Sequence, residues 1–129
     1  MIKHIALFAL PLLAACATVG DASSSLAGSK WAFVSIDGQR PISDKALLTI
    51  EADRIGANVG CNGMGGDLTI EPGKLVTGPI ISTQMYCDGV MVQESAVGSL
   101  LGASPTYTMS GDRLLLTGGG HRAELRRMN

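Results

Sequence analysis

Residues 55–61 alternate without a break. Ile55, Ala57, Val59 and Cys61 fall on one side of an extended chain, and Gly56, Asn58 and Gly60 on the other. A period of two marks a half-buried strand, because successive side chains of a strand point to opposite faces. Short apolar runs closed by turn signals recur along the chain. Residues 31–36 run into Asp37-Gly38, and residues 47–51 stop before Asp53. Gly63-Met64-Gly65-Gly66 reads as a loop, and residues 68–70 and 74–76 flank Glu71-Pro72-Gly73. Residues 80–82 form another extended piece. Residues 106–109 and 113–117 flank Ser110-Gly111-Asp112, and residues 121–127 follow Gly118-Gly119-Gly120. Many short strands with regular turns predict a mainly β fold, a small antiparallel barrel or curled sheet.

The period changes once. Residues 90–101 read as a helix, with Asp88 as its N-cap and Gly102 and Pro105 ending it. Val90, Val97 and Leu101 share a face, with Leu100 beside them. Glu94 falls in the middle of that face. A carboxylate on an apolar helix face has to be paired, hydrogen-bonded or protonated. One reading makes Glu94 a structural anchor that accepts from a loop amide, Thr83 or an arginine. The other makes it a ligand-contacting acid in the mouth of a barrel.

The N-terminus carries an address. Met1-Ile2-Lys3-His4 is a short basic start, and residues 5–15 are apolar. They are too few for a spanning helix, which needs about 20 residues. Leu13-Ala14-Ala15-Cys16 resembles the lipobox of bacterial lipoproteins, in which the cysteine is acylated and becomes the first mature residue. Residues 1–15 are accordingly expected to be a signal peptide. The chain has 3 cysteines. In an exported protein that leaves one over, and acylation of Cys16 accounts for it. Residues 16–29, rich in Ala, Ser and Gly, read as a flexible lipid-anchored linker, and residues 30–129 as the folded domain. By analogy with the sorting of bacterial lipoproteins, Ala17 in place of an aspartate implies the outer membrane, with the domain facing the periplasm.

Composition narrows the function. After loss of the signal about 114 residues remain, enough for one domain with its own core. The net charge of the whole chain is -1. The basic residues cluster only weakly, as Arg122, Arg126 and Arg127 around Glu124, so nucleic acid is not an expected partner. Aromatic residues make up 4% of the chain, too few for a single-strand stacking platform.

Three segments together resemble the META domain, the HslJ-like family of bacterial envelope proteins. Residues 31–38, opening with Trp31, are similar to the family's first strand and turn. Gly60-Cys61-Asn62 followed by Gly66 is similar to its glycine-cysteine-asparagine motif. Thr83-Gln84-Met85-Tyr86-Cys87, with Glu94 beyond it, is similar to its second cysteine motif. The resemblance runs from Trp31 to the C-terminus. Leu68 stands where the family often has an aromatic residue, and Tyr86 where it often has a small one. The resemblance implies a lipocalin-like antiparallel barrel with one helix packed against it, and a disulfide between Cys61 and Cys87. It also implies a link to envelope stress and heat shock, without a settled molecular activity.

Against a redox or metal role for Cys61 and Cys87 stands their spacing, which has neither C-x-x-C nor paired zinc ligands. A structural disulfide in an oxidising compartment is the expected state, contributing roughly 3 kcal/mol. The glycines of residues 60–66 lack both phosphate-loop spacings, so a tight turn or bulge is expected there. Asn62 is expected to satisfy loop backbone groups, and Met64, Met85, Met91 and Met109 to fill the core. His121 stands alone in the mature chain, and no nucleophile elbow occurs. No catalytic residue, metal or cofactor is expected. The sequence therefore reads as a non-enzymatic outer-membrane lipoprotein that meets an envelope protein partner through its surface. The alternative is a binder of a small apolar molecule inside the barrel, which needs a cavity of a few hundred Å³. A third reading, a protease inhibitor, is disfavoured by the lipid-tethered tail.

Overall fold

The structure is a computed structural model and describes residues 26–128. Its strands are β1 (Ser29–Ile36), β2 (Leu47–Ile50), β3 (Arg54–Asn58), β4 (Gly63–Glu71), β5 (Lys74–Thr77), β6 (Ile81–Ser82), β7 (Thr106–Ser110), β8 (Arg113–Gly118) and β9 (His121–Met128). One helix, α1 (Met91–Gly102), lies between β6 and β7. The strands pair in the order β3-β2-β1-β9-β8-β7-β5-β4, and β4 pairs back with β3. The result is a closed antiparallel barrel of 8 strands, with α1 packed against it. Closure removes the exposed edges that an open sheet of this length would leave. The short β6 adds to the outer edge of β4, where Met64 lies opposite Ser82 and Gly65 opposite Ile81.

Alternation along each strand fills the interior. Trp31, Leu48, Ile50, Ile55, Leu75, Leu114, Leu116 and Leu125 are buried to 1% exposure or less. The helix packs against β1, β8 and β9 and buries Ala96, Val97, Leu100 and Leu101. It covers the end of the barrel where β1 stops and β9 starts. At the turn after β1, Ile36 and Gln39 bridge across Asp37-Gly38. Both turn residues have positive φ, the conformation of a two-residue hairpin turn, which Asp-Gly suits.

Four local expectations are corrected. Residues 63–66 are the first half of β4 rather than a loop, pairing with β3 so that Gly65 faces Gly56 and Gly66 faces Ile55. Glycine is required there by close backbone approach. A Cβ on Gly65 would lie 2.9 Å from the Ile55 carbonyl oxygen, and one on Gly66 would lie 2.7 Å from that of Pro79. Asp88 is not the N-cap: Gly89 turns the chain with φ +82, and Val90 takes the cap position without a side-chain hydrogen bond. Met85 is 58% exposed rather than in the core, whereas Met64 is buried in the core and Met91 and Met109, partly buried, pack against that core. Finally, the fold begins before residue 30. Leu26 is fully buried, Gly28 N donates to Ile50 O at 2.8 Å, and the Ser29 hydroxyl donates to Leu26 O. The expected signal peptide, Cys16 and residues 17–25 of the expected linker lie outside the described residues.

Candidate functional site

The two cysteine motifs meet beside the first turn of α1. Strand β3 ends at Asn58, and Gly60 then swings the chain toward the helix with φ +124. A Cβ on Gly60 would lie 2.7 Å from Ser43 Cβ, so only glycine lets these loops approach. Cys61 and Cys87 form a disulfide with their Cα atoms 5.9 Å apart. Next to it, Asn62 is 2% exposed and Glu94 8%.

Asn62 and Glu94 hold three segments together. Glu94 Oε1 accepts from the backbone N of Asn62 at 2.6 Å, and Oε2 accepts from its Nδ2 at 2.9 Å. Asn62 Nδ2 also donates to Met85 O at 2.8 Å. On the other side, Asn62 Oδ1 accepts from Met85 N at 2.7 Å and from the Thr83 hydroxyl at 2.9 Å. Thr83 N in turn donates to Gly63 O at 3.1 Å. The helix, the β3–β4 connection and the segment leaving β6 are thereby pinned at one point, with a carboxylate strengthening two of the bonds. Glu94 is an anchor that accepts from a loop amide, the first of the two sequence readings. Among the described residues, every buried side-chain nitrogen and oxygen has a hydrogen-bond partner.

A neighbouring clamp went unread in the sequence. Gln93 is buried. Its Nε2 donates to Arg40 O at 2.7 Å, and its Oε1 accepts from Ile42 N at 2.9 Å. Its signal was available: it is a polar residue next to Glu94 on a helix whose neighbours are apolar. The pairing with a loop some fifty residues earlier was not. Ile42, Met85, Tyr86 and Val92 stand exposed around these clamps.

His121 is not alone in space. Its Nδ1 lies 2.7 Å from Asp37 Oδ2, and Asp37 Oδ1 accepts from Arg122 N at 2.9 Å. The hydrogen bond from His121, then that from the Arg122 amide, hold the Asp37 carboxyl below its usual range. At the far end of the barrel, Trp31 Nε1 donates to the Ser29 hydroxyl oxygen at 2.7 Å, and the Arg127 guanidinium stacks 4.5 Å from the Trp31 ring. Among the described residues no cluster of His, Cys, Asp and Glu is arranged to hold a metal ion, and no helix is long and apolar enough to cross a membrane.

A small closed barrel thus carries, beside its helix, a disulfide next to an asparagine–glutamate clamp. The META domain family model matches residues 24–129. The chain belongs to the META domain family. Among curated proteins, none matches it. Two solved structures share its fold. One NMR structure superposes with a TM-score of 0.71 at 16% identity, covering 81% of this chain and 92% of the other. An NMR structure of a protein from Burkholderia xenovorans superposes with a TM-score of 0.64 at 20% identity, covering 84% and 87%. The META match begins before Leu26, in keeping with the burial of that residue. Of the motif residues, Gly60, Cys61, Asn62, Thr83, Met85, Cys87 and Glu94 converge on the clamp of this META domain. Trp31 and Gly66 serve the barrel elsewhere. Leu68 is buried and Tyr86 is 79% exposed, so the second departure from the family pattern alters the surface beside the disulfide.

Proposed function

We propose that this META domain is a non-enzymatic lipoprotein of the bacterial envelope, acylated at Cys16, held at the outer membrane and active through its outer surface. The observation that carries this reading is where the side chains go. The barrel interior is filled by Trp31 and large aliphatic residues. The motif polar groups are engaged in holding loops. What remains for recognition is the exterior, and an envelope protein involved in maintenance or stress response is the partner class this reading favours. The Leu13-Ala14-Ala15-Cys16 sequence and a disulfide that suits an oxidising compartment support the address.

Packing weighs against an apolar ligand inside the barrel. A concavity of about 680 Å³ is an open groove outside β2, β3 and β4, floored by Gly56, Gly63 and Gly65 and rimmed by Arg54 and Asp67. Native mass spectrometry of the chain extracted from its own envelope tests the proposal. The expected mass is that of a chain starting at acylated Cys16 with one disulfide and no retained small molecule. An unmodified Cys16 would sink the address, and a small molecule retained beyond lipid and detergent would replace the surface reading with the binding one.

A further inference from the structure

The outer face of β1, β9 and β8 is basic, and it lies beside the point where the chain enters the fold. In antiparallel strands, residues opposite each other project to the same side. The register sets Lys30 opposite Met128 and Ala32 opposite Arg126, and Arg126 in turn opposite Arg113. Farther along, Glu124 lies between Ser35 and Leu115, and Arg122 is opposite Thr117. Among the described residues, Glu124 is the one acid on this face, and Arg113 takes it at 2.8 Å. Asp112, in the adjoining turn, stands 3.9 Å from Arg126. Lys30 and Arg122 are exposed and, among the described residues, form no ion pair. Val34, Leu115 and Met128 add exposed apolar side chains to the same face. Asp37, in the turn after β1, accepts from Arg122 N at the edge of this face. The acids Asp44, Glu51, Asp53, Asp67, Glu71 and Asp88 belong to other strands and loops, as do the bases Arg40, Lys45, Arg54 and Lys74, so β1, β9 and β8 carry more positive than negative charge although the net charge is small.

We propose that this face docks on the anionic headgroups of the bilayer that carries the anchor. The inference rests on the acylation of Cys16 proposed above. Guanidinium and ammonium groups meet lipid phosphates, while Leu115, Val34 and Met128 reach the acyl boundary. Geometry favours the bilayer over an acidic protein. Lys30 follows Ser29, which pairs with Ile50 at the chain's entry into the barrel. About ten residues separate Cys16 from Leu26, a reach of no more than ~35 Å. Lys30 is the first charged residue of the described chain after the tether, with Glu51 just beyond Ile50 on the neighbouring strand, and tethering gives even a weak contact a high effective concentration. Docking sets orientation: it turns β2, β3 and β4, with their groove, away from the membrane.

The native lysines supply the test. Lys30 lies on the face, whereas Lys45 and Lys74 lie off it. The full acylated chain is reconstituted into vesicles of phosphatidylcholine alone and of phosphatidylcholine mixed with phosphatidylglycerol. It is then treated with a membrane-impermeant acetylating reagent, and each lysine is followed by mass spectrometry. A basic residue at an anionic surface contributes about fivefold to association. Lys30 should therefore react roughly fivefold or more slowly on the anionic vesicles, with Lys45 and Lys74 unchanged. High salt should abolish the difference, and Arg122→Gln/Arg126→Gln should bring Lys30 most of the way back. Equal reactivity of Lys30 on both vesicles, or equal slowing of all three lysines, overturns the proposal. Failure to float with neutral vesicles at high salt overturns the anchor itself, and is read separately from the lysine rates.

Discussion

Glu94 grips Asn62 twice, once through the backbone N at 2.6 Å and once through the side-chain Nδ2 at 2.9 Å, across 32 residues of sequence. Neither residue is useful without the other. Asn62 places its remaining oxygen against Thr83 and Met85 only because Glu94 fixes the orientation of its amide. Glu94 is tolerated on an apolar helix face only because two N–H groups meet it.

Replacing Glu94 by glutamine keeps the shape, removes the charge and turns an NH2 group toward a donor. Hydrogen bonds to a charged group contribute about 1.5–3 kcal/mol, so Glu94→Gln should lower stability by about that amount. Asn62→Ala should cost more, because it leaves Glu94 Oε2 without its donor and releases both Thr83 and Met85. Urea unfolding of the two variants against wild type measures this. A Glu94→Gln protein as stable as wild type would remove the anchor role.

The disulfide and the clamp act on the same loops by different physics. Closing the 26-residue separation between Cys61 and Cys87 restricts the unfolded chain and contributes roughly 3 kcal/mol. Cys61→Ala/Cys87→Ala should lower the melting temperature while leaving the barrel's circular dichroism intact. A melting temperature equal to that of wild type would show the bond to be dispensable for stability.

The glycines of β4 separate steric need from turn-forming habit. Gly65→Ala forces its Cβ against the Ile55 carbonyl, whereas Gly63→Ala points into open space. Overpacking of this kind costs about 1–3 kcal/mol, so Gly65→Ala should be clearly destabilised and Gly63→Ala should stay within about 0.5 kcal/mol of wild type. Equal effects at the two positions would contradict the close approach of β3 and β4.

Acid should weaken the Asp37–His121 contact. The Asp37 carboxyl is held below its usual value by His121 and the Arg122 amide. Its contribution is therefore present above the unfolded-state pKa and is lost as pH falls through the lower folded-state value. Asp37→Asn should be less stable than wild type at neutral pH, and the gap should shrink as pH falls below about 4. Denaturation midpoints across that range would show it, and a gap independent of pH would count against an ionised Asp37 in the pair.

Local pattern carried far in this chain. The alternation at Ile55, Ala57 and Val59, the Asp37-Gly38 turn and the helical spacing of Val97 and Leu101 are all readable from neighbours in sequence, because backbone periodicity and turn chemistry act over a few residues. The motif residues were legible through their resemblance to the META domain, and Glu94 through its misfit on an apolar face. Residues 63–66 misled because glycine has two uses, and only the approach of Gly65 to Ile55 tells close packing from a turn. Gln93 reaching Arg40 and Ile42, His121 meeting Asp37, and the placing of Lys30, Arg126 and Arg113 on one face of β1, β9 and β8 all join residues far apart in sequence. Such contacts depend on strand register and barrel closure, which are set by the packing of the whole core, and no local run of residues encodes them.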